Sequence, residues 1–368
     1  MLRVLDKLWG EANLLDELPG APVYQDAIYV PFDPGHYIAH DPTWGLFDAV
    51  GKPIEAGLYR RGGFGGVERV SGGTGFDGSP MSSADPTFDY VYLGPVMQHY
   101  GHFITATLAR CWHPYLHPSP STRYILHCEV PIETLFSYPY AAQSFARLGL
   151  NPTNVVRFTE STHLGRVLVP EPAFEEQHYV RSIFGQMCRY IGADVPTNDA
   201  SDVPIYLSKL RLPAGVGRFR NESAFVAQLE HMGFKICFPE TLTLREQIAL
   251  FNVHRFVVGA GSGLHTALFS ARSPLIIALA LNESVNSNFT LIDLAARTRT
   301  LHLFPGEGTR WNHHPDQFPS FLAYMRGQAQ VVESLGHEQG FMSDAEIPDP
   351  AQFAIEIADL LRDRGALI

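Results

Sequence analysis

The chain has 368 residues, of which 45% are apolar and 18% charged, and its formal net charge is −11. That length exceeds one comfortable core and suits two domains, and the composition is globular rather than disordered. The acidic balance excludes a nucleic-acid groove, which needs a basic stripe, but leaves room for a local basic pocket that holds a small anion.

From the N-terminus, "MLRVLDKLWGEANLLDELPG" lacks an unbroken apolar core and a small-residue cleavage site. With no stretch long enough to span a membrane, a cytoplasmic protein is expected. Strands are predicted at "AIYVP", at "YVYLG" (Tyr90–Gly94), at "RYILH" (Arg123–His127) and at "RVLVP" (Arg166–Pro170). Between the first two lies the Gly-rich stretch Arg60–Pro80, which reads as a surface loop or as a lid that binds an acceptor. "HFITATLARCW", from His102 to Trp112, places Phe103, Leu108 and Trp112 on one helical face. These elements predict an α/β unit of modest regularity.

The second half alternates strands and helices more cleanly. "PIYLS" (Pro204–Ser208), "FKICF" (Phe234–Phe238), "RFVV" and "PLIIALAL" (Pro274–Leu281) are the strands. Between them, "NESAFVAQLEHMG" buries Phe225, Leu229 and Met232 and stops at Gly233, and "TLTLREQIALF" opens with a Thr243–Glu246 capping box. Continuous apolar strands alternating with helices mean a parallel sheet covered on both faces, with ligands bound beyond the carboxyl ends of its strands. The chain closes on a helix with Asp349 as N-cap, Pro350 at its first position, Gln352 as capping-box partner and Gly365 past its last turn.

Cys111, Cys128, Cys188 and Cys237 are far apart and form no C-x-x-C pair, so reduced, buried thiols are expected and no metal site. His99-x-x-His102 imitates a metal pair, but no carboxylate partner is evident beside it.

The most informative stretch is "VVGAGSGLHTALFS", Val257–Ser270, in which a strand ends in a small-residue loop followed at once by an apolar helical pattern. Backbone N–H groups at such a loop hold phosphates. Two familiar phosphate motifs fail: G-x-x-x-x-G-K-[ST] and G-x-G-x-x-G both require glycine where Leu264 stands. A nicotinamide oxidoreductase is therefore disfavoured, and a plain structural turn stays open.

"VYLGPVMQHYGHFITATLARCW" and "YLSKLRLPAGVGRFRNESAFVAQLEHMGFKICFPETLTLREQIALFNVHRFVVGAGSGLHTALFS" together resemble glycosyltransferase family 61. The resemblance rests on ordered elements: the Gly101-His102-Phe103 segment, Tyr206 to Ser208, Arg218 with Asn221-Glu222, Pro239-Glu240, Gly259 and Gly261 to Leu264. It implies a GT-B architecture, two Rossmann-like domains facing a cleft. These are an acceptor-binding domain over residues 1–175, a donor-binding domain over 176–340, and a helix in 341–368 that returns to the first. It implies inverting, metal-independent transfer from a nucleotide-sugar, usually a UDP-sugar, to a glycan acceptor in polysaccharide biosynthesis.

On that resemblance, the amides of Gly261, Ser262 and Gly263, with Arg211 and Arg218, suit the donor diphosphate, and His265 adds a hydrogen bond. Ser208 closes the first strand of the same site. Glu240 suits the ribose hydroxyls and Pro239 walls the base. Lys209 reads as a surface residue, and Arg218 reads equally well as part of a solvated loop. His102 is the candidate acid–base group, because an imidazole titrates near neutral pH, although a core histidine capping a helix fits as well. Ala106 stands where the resemblance implies a carboxylate. That leaves an inert variant, a base drawn from elsewhere, or an altered residue; the rival function is a homologue that binds nucleotide-sugar or glycan without transferring it.

Overall fold

The computed structural model describes residues 2–32, 43–63, 66–73, 75, 76, 78, 81–306, 309–317 and 340–368. Part of the Arg60–Pro80 loop, with its expected role as lid or acceptor loop, lies outside the described residues. The fold is mixed α/β, in two compact units: Gly10–Ile191, and Gly192–Ile368 together with Met1–Trp9. The strand Tyr179–Arg181 pairs with Asn13–Leu15 and with Phe174–Glu175, and this hairpin lies in the first unit.

In the first unit the main strands are β1 (Val23–Val30), β2 (Gly45–Phe47), β3 (Asp89–Pro95), β4 (Thr122–His127), β5 (Val155–Val156) and β6 (Thr162–Leu168). They lie in the order β5-β4-β3-β6-β1-β2, parallel from β5 through β6 and antiparallel from there on. Tyr29, Tyr92, Ile125, Leu164 and Val167 form the core over which the sheet packs.

The segment read as one helix over His102–Trp112 is broken into three kinds of turn. An α-turn at Tyr100–His102 gives way to a π-helical turn at Phe103–Thr107 and a 3-10 turn at Leu108–Arg110, before a short α-helix at Trp112–Leu116. Phe103, Leu108 and Trp112 are buried as the pattern demands. The π-turn widens the helix and re-aims the side chains that follow His102. Arg110 holds the segment in place: its guanidinium is buried and donates to the carbonyls of Ala56 (3.0 Å), Leu58 (2.8 Å) and Pro170 (2.9 Å). Gly94 (φ +91°) makes room for it, since a Cβ there would lie 2.9 Å from the guanidinium.

The second unit carries β7 (Ile205–Leu207), β8 (Lys235–Cys237), β9 (Phe256–Gly259), β10 (Leu275–Leu279) and β11 (Arg299–Phe304), all parallel, with Arg3–Val4 antiparallel on the edge. Their order is β8-β7-β9-β10-β11. Numbered along the chain this is 2-1-3-4-5, a doubly wound sheet of the flavodoxin type rather than the dinucleotide-binding 3-2-1-4-5-6. Helices Glu222–His231, Leu244–Val253 and Ser287–Ala296 cover it, and the Thr243–Glu246 capping box forms with both of its bonds.

The closing helix, Pro350–Arg362, is capped by Asp349, which accepts from the amide N–H of Gln352 at 3.0 Å. The Gln352 side chain donates onward to Glu356, not back to the cap. The helix was expected to return to the first domain. Its apolar face (Phe353, Ile357 and Leu361) instead lies in the core of its own unit with Tyr206, Phe225 and Val258, where Phe353 meets Phe225 at 5.4 Å between ring centroids.

Candidate functional site

β7 and β9 are neighbours whose chains continue to opposite sides of the sheet, β7 to β8 and β9 to β10. A crevice opens beyond the carboxyl ends of two strands that part in this way. Leu207 is in register with Gly259 there, so the segment after β7 and the glycine loop after β9 stand side by side.

Gly261 takes a left-handed φ of +77° and caps a 3-10 helix over Ser262–Phe269. The first backbone bond at this turn runs from the Leu264 N–H to the Gly261 carbonyl at 3.2 Å. The amides of Ser262 and Gly263 precede it, and both residues are half-buried rather than enclosed. Pro239 packs over Gly263: a Cβ on that glycine would be 3.8 Å from the proline Cγ.

Lys209 is the correction that matters most here. Read as a surface residue, it lies along the glycine loop, and its ammonium would sit 2.6 Å from a Cβ on Gly261. Its Nζ donates to the Gly217 carbonyl at 2.6 Å, and its backbone N–H donates to the buried Glu222 at 2.9 Å. Burial lowers the ammonium pKa to about 8, against the opposing charge of Glu222.

The two predicted arginines differ in setting. Arg211 is exposed and stacks its guanidinium 3.8 Å from the Phe238 ring centroid, next to Pro239. Partial desolvation raises the Glu240 carboxyl, with the Arg211 charge opposing, so these two groups sense each other. Arg218 follows Gly217, the acceptor for Lys209, and lies 4.7 Å from the Phe341 centroid. Its Nε makes no hydrogen bond among the described residues. Arg220, by contrast, is held by Asp344 (3.2 Å) and Glu346 (3.3 Å).

Two predicted donor contacts lie inside the protein. Ser208 is fully buried, and its hydroxyl accepts from the Leu210 N–H at 3.2 Å, closing the turn after β7. His265 is buried in the 3-10 helix, edge-on to Phe289 at 4.9 Å.

In the first unit, His102 ends the α-turn, and its Nδ1 lies 2.6 Å from Oε1 of Glu176. Thr105, inside the π-turn, donates to the same oxygen, and the Tyr59 hydroxyl donates to Oε2 at 2.7 Å. Glu176 is fully buried. Burial alone would raise its carboxyl, but the His102 charge, the hydrogen bonds from His102 and Thr105, and the Arg61 charge hold it well below the usual carboxylate range. Its backbone is pinned as well, since its carbonyl accepts from Gly62 N–H at 2.7 Å, and the next residue, Gln177, takes a left-handed φ of +60°. A Cβ on Gly62 would come 2.4 Å from the Gln177 carbonyl, so only glycine fits there. Ala106 is buried beside this group and lines a small cavity with Tyr59, Thr105, Arg110 and Glu176.

Residues 100–277 match the family described as Glycosyltransferase 61. That match supports membership of glycosyltransferase family 61. A search of the curated proteins finds no match. The matched span contains the His102–Thr107 turn, Glu176, Lys209, Arg211, Arg218, Pro239 and the glycine loop, whereas Tyr59 and Arg61 precede it. Membership of that family implies a transferase with a donor and an acceptor. Among the described residues, no helix is long and apolar enough to cross a membrane, and no group of three His, Cys, Asp or Glu could hold a metal ion.

Sequence reasoning set Lys209 aside as a surface residue and did not reach Glu176. Lys209 follows directly on a strand that faces the crossover, which was a usable signal. Glu176 had a weaker one: "FEEQ" sets two acids beside a buried phenylalanine, and both Glu175 and Glu176 prove to be buried. A cavity of about 330 Å³ lies at the opposite end of the second sheet, lined by His254, Arg255, Arg272 and Arg364. Its arginines are engaged with Asp202, Asn198 and Leu360, away from the glycine loop.

Proposed function

We propose that this glycosyltransferase moves a sugar from a UDP-sugar to a glycan acceptor with inversion at the anomeric carbon, in polysaccharide biosynthesis on the cytoplasmic side. The observation that carries the reading is the glycine loop at the crossover of the second sheet. Its Ser262 and Gly263 amides lie outside the first turn's bonding, and the Lys209 ammonium lies along Gly261. Backbone N–H groups and a desolvated cation in one crevice suit a diphosphate, whose charge grows as the sugar leaves. Arg211 and Arg218 add positive charge, Pro239 walls the nucleobase and Glu240 accepts from the ribose. In this reading the side-chain cations serve in place of a metal. The first unit binds the acceptor, and His102 takes the proton of its attacking hydroxyl. A GT-B pairing of the two units belongs to the same proposal.

The test is a thermal-shift series with UDP, GDP, CMP, ADP and NAD, followed by transfer assays with UDP-sugars and anomeric NMR of the product. UDP at about a hundred times its dissociation constant should add roughly 2.7 kcal/mol of stability. Stabilisation by NAD alone contradicts the reading, and retention of configuration contradicts inversion. Ala106 favours a second reading, a binder that no longer transfers. Transfer that appears only in Ala106→Glu would support it.

A further inference from the structure

Glu176 is a costly residue to keep in a core. A fully buried carboxylate held in its charged form must be repaid by its partners, and apolar packing of the same volume is often the more stable choice. Here the partners come from two segments distant from it in sequence, Tyr59 and the His102–Thr105 turn. Two backbone irregularities meet at the same point, the π-turn over Phe103–Thr107 and the left-handed Gln177. Such distortions concentrate at functional sites.

The His102 ring is anchored at one end and open at the other. Its Nδ1 is bound to Glu176, while 34% of its side chain is exposed and its Nε2 makes no hydrogen bond among the described residues. An ionised carboxylate can only accept, so Nδ1 carries the proton of this bond and the neutral ring presents its lone pair at Nε2. Besides Glu176, the charged and titratable groups around this ring are His99, whose ring centroid is 5.4 Å away, and Arg61 and Tyr59, which act on Glu176.

We propose that Glu176 is the positioning residue of a His102 general base, fixing the imidazole in the tautomer that leaves Nε2 free. This rests on the transfer reading above. In the step, the acceptor oxygen bonds to the anomeric carbon as the bond from that carbon to the β-phosphate oxygen breaks. The nucleoside diphosphate leaves with the electron pair, and the acceptor proton moves to Nε2. Glu176 stays ionised and stabilises the imidazolium that forms.

The experiment compares wild type, Glu176→Gln, His102→Gln and the double variant in the full-length protein. Glu176→Gln should lower kcat by about 10²–10⁴-fold, with KM for donor and acceptor within about twofold and with the UDP thermal shift retained. The double variant should be no slower than His102→Gln, because the two residues act as one unit. Nitrogen-15 NMR of the wild-type histidines should show His102 with its resting proton on Nδ1; this needs no variant to fold. A resting proton on Nε2, additive losses in the double variant, or wild-type kcat in Glu176→Gln overturns this inference and leaves the transfer reading standing. A wild-type chain that binds UDP but transfers nothing overturns both.

Discussion

The crossover of the second sheet and the His102–Glu176 turn of the first unit are built in opposite ways. The crossover is made mostly of backbone: strand ends in register, a left-handed glycine and amides at a helix start, with Lys209 as the side chain that completes it. The His102 turn is made of side chains, drawn from residues 59, 102, 105 and 176 and held by a strained loop. A site made by topology tolerates changes in most side chains nearby but not a Cβ at its glycine. A site made by convergent side chains is the reverse, since each member depends on the others.

Four substitutions sharpen that contrast. His102→Gln should give the largest effect, a fall in kcat of about 10²–10⁴-fold with UDP binding unchanged; a loss of UDP binding instead would tie the two clusters together. Arg110→Met should cost about 3 kcal/mol in urea denaturation, because it leaves the buried carbonyls of Ala56, Leu58 and Pro170 without their donor. Lys209→Met should weaken UDP binding about tenfold, the scale of one charge-assisted contact.

Lys209 also carries a pH signature. Its folded pKa, about 8, lies below the ordinary lysine value of 10.5. Between those values the unfolded chain binds more protons, so this group's contribution to stability rises with pH across the window and is lost as pH falls through about 8. Phosphate binding needs the charged form, so UDP affinity should fall as pH rises past about 8 in wild type. The same titration should lose that step in Lys209→Met. The smallest effect belongs to Asp349→Ala, which removes the cap of the closing helix and should cost about 1 kcal/mol of stability while leaving UDP binding intact.

The same contrast explains what could be read in advance. The strands of the second unit are continuous apolar runs between helices with caps and stops, so their order of appearance and the loop at Gly259–Gly263 were legible from periodicity alone. The closing helix was legible too, but not where its apolar face would pack, since Phe353, Ile357 and Leu361 look the same whichever core receives them. Ser208 and His265 occupy loop positions that suggest ligand contact, and only the fold shows that both are buried, one accepting from Leu210 and the other set against Phe289. The π-turn after His102 has no periodic signature distinct from an α-helix. Glu176 lies 74 residues from the histidine it binds, a separation across which no local pattern operates.

The central claim is that the glycine loop holds the leaving diphosphate, and it is met most directly by titrating UDP into wild type and Gly261→Val by calorimetry. Valine cannot easily adopt φ +77°, and its side chain would meet Lys209. The account predicts that wild type binds UDP and that folded Gly261→Val binds it at least about a hundredfold more weakly, about 2.7 kcal/mol. Equal affinity in the two proteins would contradict it.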